Sequence, residues 1–452
     1  MKFDLDQIRK VYFLGIGGIG MSALARYFQA KGMVIQGYDK TPSALTGELT
    51  NEGMIIHFED DPSKVPGDID LVIYTPAIPQ GLEEYRFLKE SGIPMFKRSQ
   101  VMGKITEGKL TVAVAGTHGK TSISSLIAHI LKSADYQMTA LIGGISNNYQ
   151  SNFITTGKED IMVVEADEYD RSFLYLHPDI AVISAMDPDH LDIYGTAGEM
   201  NRSFNEFARN IKPDGKLIIR NGLQLSPNQT TTRVDYAADE SSDISAFNLR
   251  PEKGLQLFDI FIGGHQYRDV QLQVPGKYNV ENALAAVAVC LSIGVDPGKI
   301  LDGIRTFTGV RRRFDIRIQQ PGRVYIDDYA HHPQELEAFI SAVRMLYPGK
   351  KITGLFQPHL FSRTKDFAAG FAQSLDLLDE TWLLDIYPAR ELPVPGVTSD
   401  LILDLMHQKN KKFLSRPEVL KMLKAEKPEV FLTMGAGDID LLIEPIIKIL
   451  IS

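Results

Sequence analysis

The chain holds a single cysteine, Cys290, so no intrachain disulfide can form and the fold must rest on its apolar core. Cys290 lies in the longest apolar run, residues 283–295 (ALAAVAVCLSIGV), and reads as a core residue rather than a nucleophile. That run is too short to cross a bilayer. The opening MKFDLDQIRK has no apolar stretch of the kind a secretory leader needs. Excess positive charge is missing as well. With 48 basic against 57 acidic residues the net charge is −9, which gives no global basic signature for nucleic acid. These absences together lead to the expectation of a soluble, cytoplasmic protein that engages neither membrane nor nucleic acid. They leave its oligomeric state open.

What is present is an ordinary globular composition, 44% hydrophobic and 23% charged, on 452 residues. That length suggests about three domains. The organising stretch is residues 115–122, AGTHGKTS. The apolar run 111–115 before it (TVAVA) reads as a buried strand. Behind it Ile123, Leu126, Ile127, Ile130 and Leu131 recur at helical spacing on one face. Strand, glycine turn, Gly-Lys-Thr and helix is the layout of a phosphate-binding loop, in which backbone N–H groups and the helix dipole face an anion. Lys120 would reach the β- and γ-phosphates of ATP and the Thr121 hydroxyl would ligate Mg²⁺. The general motif wants a glycine where Val114 stands, so this loop is a shortened one. The alternative is a glycine turn capping a strand, with Lys120 in solvent.

An earlier glycine motif, residues 15–20 (GIGGIG), follows a short strand over 11–14 and precedes a helical face of Met21, Leu24, Ala25 and Phe28. A second strand over 33–37 leads to Asp39, about 20 residues past the glycines, which satisfies the dinucleotide fingerprint. Read alone, it points to a nicotinamide-dependent oxidoreductase. A strand over 71–74 leads to Thr75, Pro76, Ala77 and Ile78, with Arg98 further on.

Beyond the phosphate loop, strands over 161–164 and 180–184 run into EADEYD (165–170) and MDPDHLD (186–192). These put carboxylates and a histidine at strand ends. Glu165 suits Mg²⁺, a hard ion that prefers oxygen, whereas His190 would suit Mn²⁺ better. Solvated acidic loops are the bland alternative. Residues 221–273 read as small strands decorating the domain. The stretch 274–286 (VPGKYNVENALAA) then enters an Ala-rich helix that Asn279 or Asn282 could cap; reading an adenine edge is the other possibility. Arg311, Arg312 and Arg313 make either a solvated turn or a phosphate clamp. A third strand–helix alternation follows, its strands ending in DDYAHHP (327–333), QPHLFSRT (357–364) and GAGD (435–438).

Nine motifs, taken along the chain, carry a resemblance: GIGGIGMSALA, GTHGKTS, EADEYDRSF, DPDHLDIYG, PGKYNVENALAA, RRRFD, DDYAHHP, QPHLFSRT and TMGAGD. Together they resemble the Mur ligases, the ATP-dependent amide-bond ligases of peptidoglycan precursor synthesis. The opening glycine motif and DDYAHHP resemble the member that acts first. The expected fold is α/β in three domains: a Rossmann-like UDP-substrate domain (1–107), a central P-loop ATPase-like domain (108–309) and a Rossmann-like ligase domain (310–452).

The resemblance also implies roles. Gly17, Gly18, Ile19, Gly20, Met21 and Ser22 would hold the diphosphate of UDP-N-acetylmuramate, with Asp39, Thr75, Ala77 and Arg98 lining that site. Gly116, Thr117, His118, Gly119, Lys120, Thr121 and Ser122 would cradle ATP, with Asn279 and Asn282 on the adenine side and Arg313 and Asp328 serving the γ-phosphate and nucleotide. Thr121, Glu165 and His190 would hold metal, Mg²⁺ or Mn²⁺. His190, His359 and Arg363 would lie near substrate, and Lys120, His190, Arg313 and His359 would carry the catalysis. The implied reaction activates the lactyl carboxylate as an acyl phosphate, which the amine of L-alanine then attacks. Beside this stand two rivals: a ligase that recycles murein tripeptide onto the same UDP sugar, and the NAD(P)-dependent oxidoreductase. Two departures from the family pattern are visible. Leu360 stands where many relatives have arginine, and residues 198–205 offer no lysine of the kind several relatives carbamylate.

Overall fold

The computed structural model describes residues 4–188, 191–252, 254–389 and 391–452. Their strands form three sheets in succession along the chain. The first contains β1 (Lys10–Leu14), β2 (Val34–Tyr38), β3 (Ile55–His57), β4 (Leu71–Tyr74) and β5 (Met95–Lys97), in the order 3-2-1-4-5. All its pairings are parallel. Strand order reverses between β1 and β4, and ligands of open α/β sheets bind in the crevice at such a point, beyond the carboxyl ends of the strands. The loops there are Gly15–Gly20 and the turn at Thr75.

The second sheet is built on β6 (Leu110–Ala115), β7 (Met138–Ser146), β8 (Ser151–Thr155), β9 (Ile161–Glu165), β10 (Ile180–Ile183) and β11 (Lys216–Arg220). It continues through β12 (Thr232–Ala238), β13 (Ile244–Glu252), β14 (Leu255–Ile262) and β15 (His265–Leu272), in the order 15-14-13-12-11-10-6-9-7-8. β6 lies between parallel neighbours β10 and β9, in a register that sets Val114 beside Glu165 and Ala115 beside Ile183. The phosphate loop therefore leaves the sheet between two strands that end at the same level. Val112, Ala113, Val114 and Ala115 are fully buried, as are Ile123, Ile127, Ile130 and Leu131 of the helix Lys120–Ser133 behind the loop. Each valine, leucine and isoleucine among these contributes roughly 1.5–3 kcal/mol by leaving water, which is what fixes the loop against its strand.

The third sheet comprises β16 (Asp315–Gln320), β17 (Arg323–Asp328), β18 (Ile352–Phe356), β19 (Glu380–Leu383), β20 (Lys411–Phe413) and β21 (Val430–Met434), in the order 16-17-21-18-19-20. Only β16 runs antiparallel. Asp328, Met434, Phe356 and Leu383 stand side by side in register, so the polar loops after these strands emerge along one edge.

One feature differs from the sequence reading. Residues 221–273 are not small decorations: most of them lie in β12–β15, which extend the central sheet. The fold is α/β with three successive sheets, as expected; by packing the chain groups into two compact units, the first being Met1–Phe247, Ile260–Tyr267 and Glu281–Thr306, and the second Asn248–Asp259, Arg268–Val280 and Phe307–Ser452. Strands β1–β12 share the first unit, in which the helix Ile19–Ala30 packs on β7 and β8. The Tyr27 ring meets the edge of Phe153 with centroids 6.4 Å apart. Buried Arg26 donates to Asn152 Oδ1 at 2.6 Å and to both carboxylate oxygens of Glu52. Among the described residues no helix is long and apolar enough to cross a membrane.

Candidate active site

The first glycine turn is shaped by what leans on it. A Cβ on Gly17 would stand 2.8 Å from an Asp39 carboxylate oxygen, and one on Gly20 would stand 2.5 Å from Arg98 Nη1. Gly17 N–H donates to Asp39 Oδ2 at 2.8 Å. Gly15 adopts φ +83° with the Thr75 methyl against it. The fold thus brings together Gly17, Gly20, Asp39, Thr75 and Arg98, which are far apart in sequence. Gly18 and Ile19 are exposed at the start of the helix, and Ala77 is exposed in the neighbouring turn. The side chains of Met21 and Ser22 are buried instead. Ser22 Oγ donates to the Ile19 carbonyl and accepts from Asn152 Nδ2, and Ser22 N–H donates to the Gly18 carbonyl at 2.8 Å, so of the two only Met21 offers an orphan amide of the first helical turn to a ligand.

At the phosphate loop the glycines are required by close approach. Gly116 has φ +131°, and a Cβ there would collide with the Ser184 hydroxyl and stand 2.9 Å from Ala185 N. Gly119 caps the helix at φ +85°, and a Cβ there would stand 2.6 Å from Asn282 Oδ1. Thr117 N–H donates to the Ala185 carbonyl at 3.1 Å, and Thr117 Oγ1 accepts from Asp187 N–H at 3.2 Å. His118 lies beside Asp187, and its carbonyl accepts from the Ser184 hydroxyl. Ser122 is half-buried.

Lys120 is not in solvent: its side chain is only 18% exposed. It donates to the Gly116 carbonyl at 2.8 Å and to both oxygens of Glu168 at 2.8 and 2.7 Å. Burial by itself would lower the Lys120 pKa, but the carboxylates of Glu168 and Asp167 outweigh it and hold the pKa raised. Lys120 is therefore a permanent cation facing the loop.

Glu165, at the end of β9, accepts from Thr121 Oγ1 at 3.2 Å, from Ser124 Oγ at 3.1 Å and from the Gly143 amide. Desolvation raises its pKa against the pull of that amide and of Lys120. Neighbouring oxygens around an ion with bonds of about 2.0–2.1 Å lie roughly 3 Å apart, so a Thr121 hydroxyl and a Glu165 carboxylate at 3.2 Å are a donor pair that fits Mg²⁺. His190, the third expected ligand, lies outside the described residues. Among the described residues no group of three or more His, Cys, Asp or Glu side chains could hold a metal ion.

Neither Asn279 nor Asn282 caps a helix, because the helix Lys277–Ile293 has already begun before them. Asn279 Nδ2 donates back to the Pro275 carbonyl at 2.7 Å, whereas Asn282 reaches the phosphate-loop glycine. The two expected adenine-side residues are thus differently engaged.

In the second unit Asp328 is buried at the end of β17 and accepts from the Phe314 and Ala330 amides, each at 2.7 Å. Burial pushes its pKa up to about 7, with Arg313 and the two amides opposing. The Arg313 and Arg312 guanidinium groups lie over the Tyr329 ring at 4.7 and 5.2 Å. Arg312 also donates to Asp327 and to the Gly435 carbonyl, so of the expected arginine cluster one member is committed to structure. His359 stacks on Tyr387 with centroids 5.7 Å apart and meets the edge of His331 at 6.1 Å. Arg363 is buried in the helix Phe361–Leu375.

Three family models match in succession: Mur ligase family, catalytic domain, over residues 10–110; Mur ligase middle domain over 114–290; and Mur ligase, glutamate ligase domain, over 312–437. The chain is 48% identical to the UDP-N-acetylmuramate–L-alanine ligase of Flavobacterium johnsoniae, covering 99% of each. The chain belongs to the Mur ligase family. It is also 48% identical to the enzyme of the same name from Parabacteroides distasonis, over 99% of this chain and 98% of that one. Among solved structures, the UDP-N-acetylmuramate-alanine ligase of Thermotoga maritima superposes with a TM-score of 0.84 at 28% identity, covering 97% and 98% of the two chains.

Within this Mur ligase three residues lie in motifs quoted from the sequence, yet the sequence reading gave them no role: Glu168, Tyr329 and His331. A fourth, Tyr387, had no signal at all, since a parallel bridge between distant backbone segments is what brings its ring onto His359. Leu360, the departure from the family arginine, sits at φ +70° and is buried. That side chain is packed into the protein.

Proposed function

We infer that this chain is an ATP-dependent ligase that joins L-alanine to the lactyl carboxylate of UDP-N-acetylmuramate in peptidoglycan precursor synthesis. The observation that carries the reading is the pair of anion-binding glycine turns joined by one acidic segment: Arg98, against Gly20, donates to Asp167, while Lys120, in the phosphate loop, donates to Glu168. Two phosphate-bearing substrates are what such a pair would serve. This replaces the nicotinamide reading that the first motif alone suggests.

On this reading the domain 1–107 takes the UDP sugar, 108–309 takes ATP, and 310–452 supplies Arg313, Asp328, His359 and Arg363. A free carboxylate is a poor acyl donor, so the lactyl carboxylate first attacks the γ-phosphorus of ATP and ADP leaves. Lys120 and Arg313 draw charge from the phosphoryl oxygens as it builds there. A Mg²⁺ ion held by Thr121 and Glu165 would neutralise the same oxygens when bound. The amine of L-alanine then attacks the acyl carbon, the tetrahedral intermediate collapses, and phosphate departs with the amide formed. His190 and His359 are the candidates to take the ammonium proton. The cytoplasm, where ATP and nucleotide sugars are available, is the compartment this chemistry needs.

The test is phosphate release with ATP, Mg²⁺ and UDP-N-acetylmuramate, offering L-alanine, glycine, L-serine and a murein tripeptide separately. Release that requires the UDP sugar and is fastest with L-alanine is expected. Activity with the tripeptide alone would move the assignment to the recycling reaction, and folded protein inert with every donor would refute the reading.

A further inference from the structure

Glu168 is 1% exposed and holds Lys120 through both carboxylate oxygens. In a phosphate loop that lysine serves the β- and γ-phosphates, and a carboxylate in bidentate contact with it presents the same charge sign and the same pair of acceptor oxygens as a phosphate edge. Three residues earlier in the segment Glu165 faces Thr121, and one residue earlier Asp167 accepts from Arg98 Nη2 at 3.2 Å. Two residues later Asp170 accepts from Lys97 Nζ at 2.8 Å. Residues 167–170 thus grip the phosphate-loop lysine on one side and two adjacent cations of the UDP-substrate region on the other.

The segment has little slack. Asp170 and Arg171 are consecutive non-glycine residues at φ +52° and +53°, a conformation L-residues avoid. The Glu168 carbonyl accepts from Tyr194 OH at 2.6 Å and from Arg171 N–H at 3.0 Å. The helix Arg98–Thr106 lies so close that a Cβ on Gly103 would stand 2.5 Å from the Tyr175 carbonyl. A shift of Glu168 has no loose loop to absorb it.

We propose that Glu168 is an internal stand-in for the nucleotide's phosphate, which holds Lys120 until ATP displaces it and, through Asp167 and Asp170, passes that displacement to Arg98 and Lys97 at the UDP-substrate site. Glu168 is a positioning residue: it acts on the reaction through Lys120. The proposal rests on the assignment of residues 116–122 to ATP phosphates. It has a signed consequence. Removing the charge of Glu168 costs the nucleotide-free state its lysine partner and removes an anion from beside the phosphates, so nucleotide binding must tighten. A residue that merely supported the fold would weaken it.

The experiment is calorimetric titration of the full-length protein with adenylyl imidodiphosphate and Mg²⁺, and separately with UDP-N-acetylmuramate with and without that nucleotide. Glu168→Gln is expected to bind the nucleotide roughly tenfold tighter, about the worth of one charge-assisted hydrogen bond. Glu168→Asp, which keeps the charge on a shorter arm, should fall between. In the wild type the nucleotide should change the affinity for the UDP sugar, and Asp170→Asn, at a half-exposed position, should bring that ratio towards one. Unchanged or weaker nucleotide binding by both Glu168 variants would overturn the stand-in, and a ratio unaffected by Asp170→Asn would overturn the link. A wild type that does not bind the nucleotide at all would instead sink the phosphate-loop assignment.

Discussion

Replacing Lys120 with methionine removes one ammonium and little volume, and its consequences divide cleanly. The ammonium makes three hydrogen bonds, to the Gly116 carbonyl and to both oxygens of Glu168, all at 2.7–2.8 Å. In the reaction it is a fixed positive charge where phosphoryl charge accumulates, and losing one such donor costs roughly 10²–10³ in rate, about 2.7–4 kcal/mol. In the folded state the same substitution deprives a carboxylate that is 1% exposed of its cation. Breaking a buried pair by removing one partner costs about 3 kcal/mol or more, and at roughly 2 °C per kcal/mol for a large domain the melting temperature should fall by about 6 °C. The double variant Lys120→Met/Glu168→Gln separates the two effects, because it removes the stranded charge without restoring the catalytic one. Phosphate release and thermal melts on both variants are the assay. The double variant should regain most of the lost stability and none of the lost rate. A single variant within threefold of wild-type turnover would refute the role of the loop, and a double variant no more stable than the single one would refute the buried-pair reasoning.

Three further outcomes are expected. Gly116→Ala should lose ATP-dependent activity at least tenfold, since the new methyl meets Ser184 and Ala185 at φ +131° and overpacking of this kind costs about 1–3 kcal/mol; a KM for ATP within twofold of wild type would count against it. Asp328, with its pKa pushed up to about 7, gains its proton as pH falls through 7, so nucleotide affinity should drop on that side and Asp328→Asn should abolish the step. The same shift has a stability sign: the folded state binds this proton more tightly than the unfolded chain, so between about pH 4 and 7 it favours the fold less as pH rises. The stability of wild type relative to Asp328→Asn should therefore fall by up to roughly 4 kcal/mol as pH rises across that window, read from melts of both proteins. Chelation of divalent cations should stop phosphate release and Mg²⁺ or Mn²⁺ should restore it. Thr121→Val should raise the metal concentration needed, and full activity in excess chelator would overturn the Thr121–Glu165 site.

Local pattern was enough to read the strands and glycine turns. Apolar runs over 71–74 and 352–356 are strands to the residue, and the face Ile123, Leu126, Ile127, Ile130, Leu131 is buried as its spacing requires. Both are consequences of chain-local physics, since periodicity reports which side of an element leaves water. The two phosphate turns were legible for the same reason: a glycine at positive φ and a helix start are short-range requirements.

Which charges meet which was not legible. Arg98 against Gly20, Asn282 against Gly119, Glu168 on Lys120 and Tyr387 on His359 join residues from 28 to 163 positions apart, and no local periodicity encodes a partner at that range. Sequence offered Glu168 only as one acid among four in EADEYD; burial of its carboxylate beside a buried ammonium is what sets it apart. The packing of the helix Ile19–Ala30 on the central sheet was likewise decided in space, because Tyr27 and Arg26 look like ordinary helix residues until β8 supplies Phe153 and Asn152. The sequence alone determined the elements and the chemistry available at their ends. The tertiary structure decided the pairings, because a buried charge must find its counter-charge in space and the chain fixes that neighbour only when it folds.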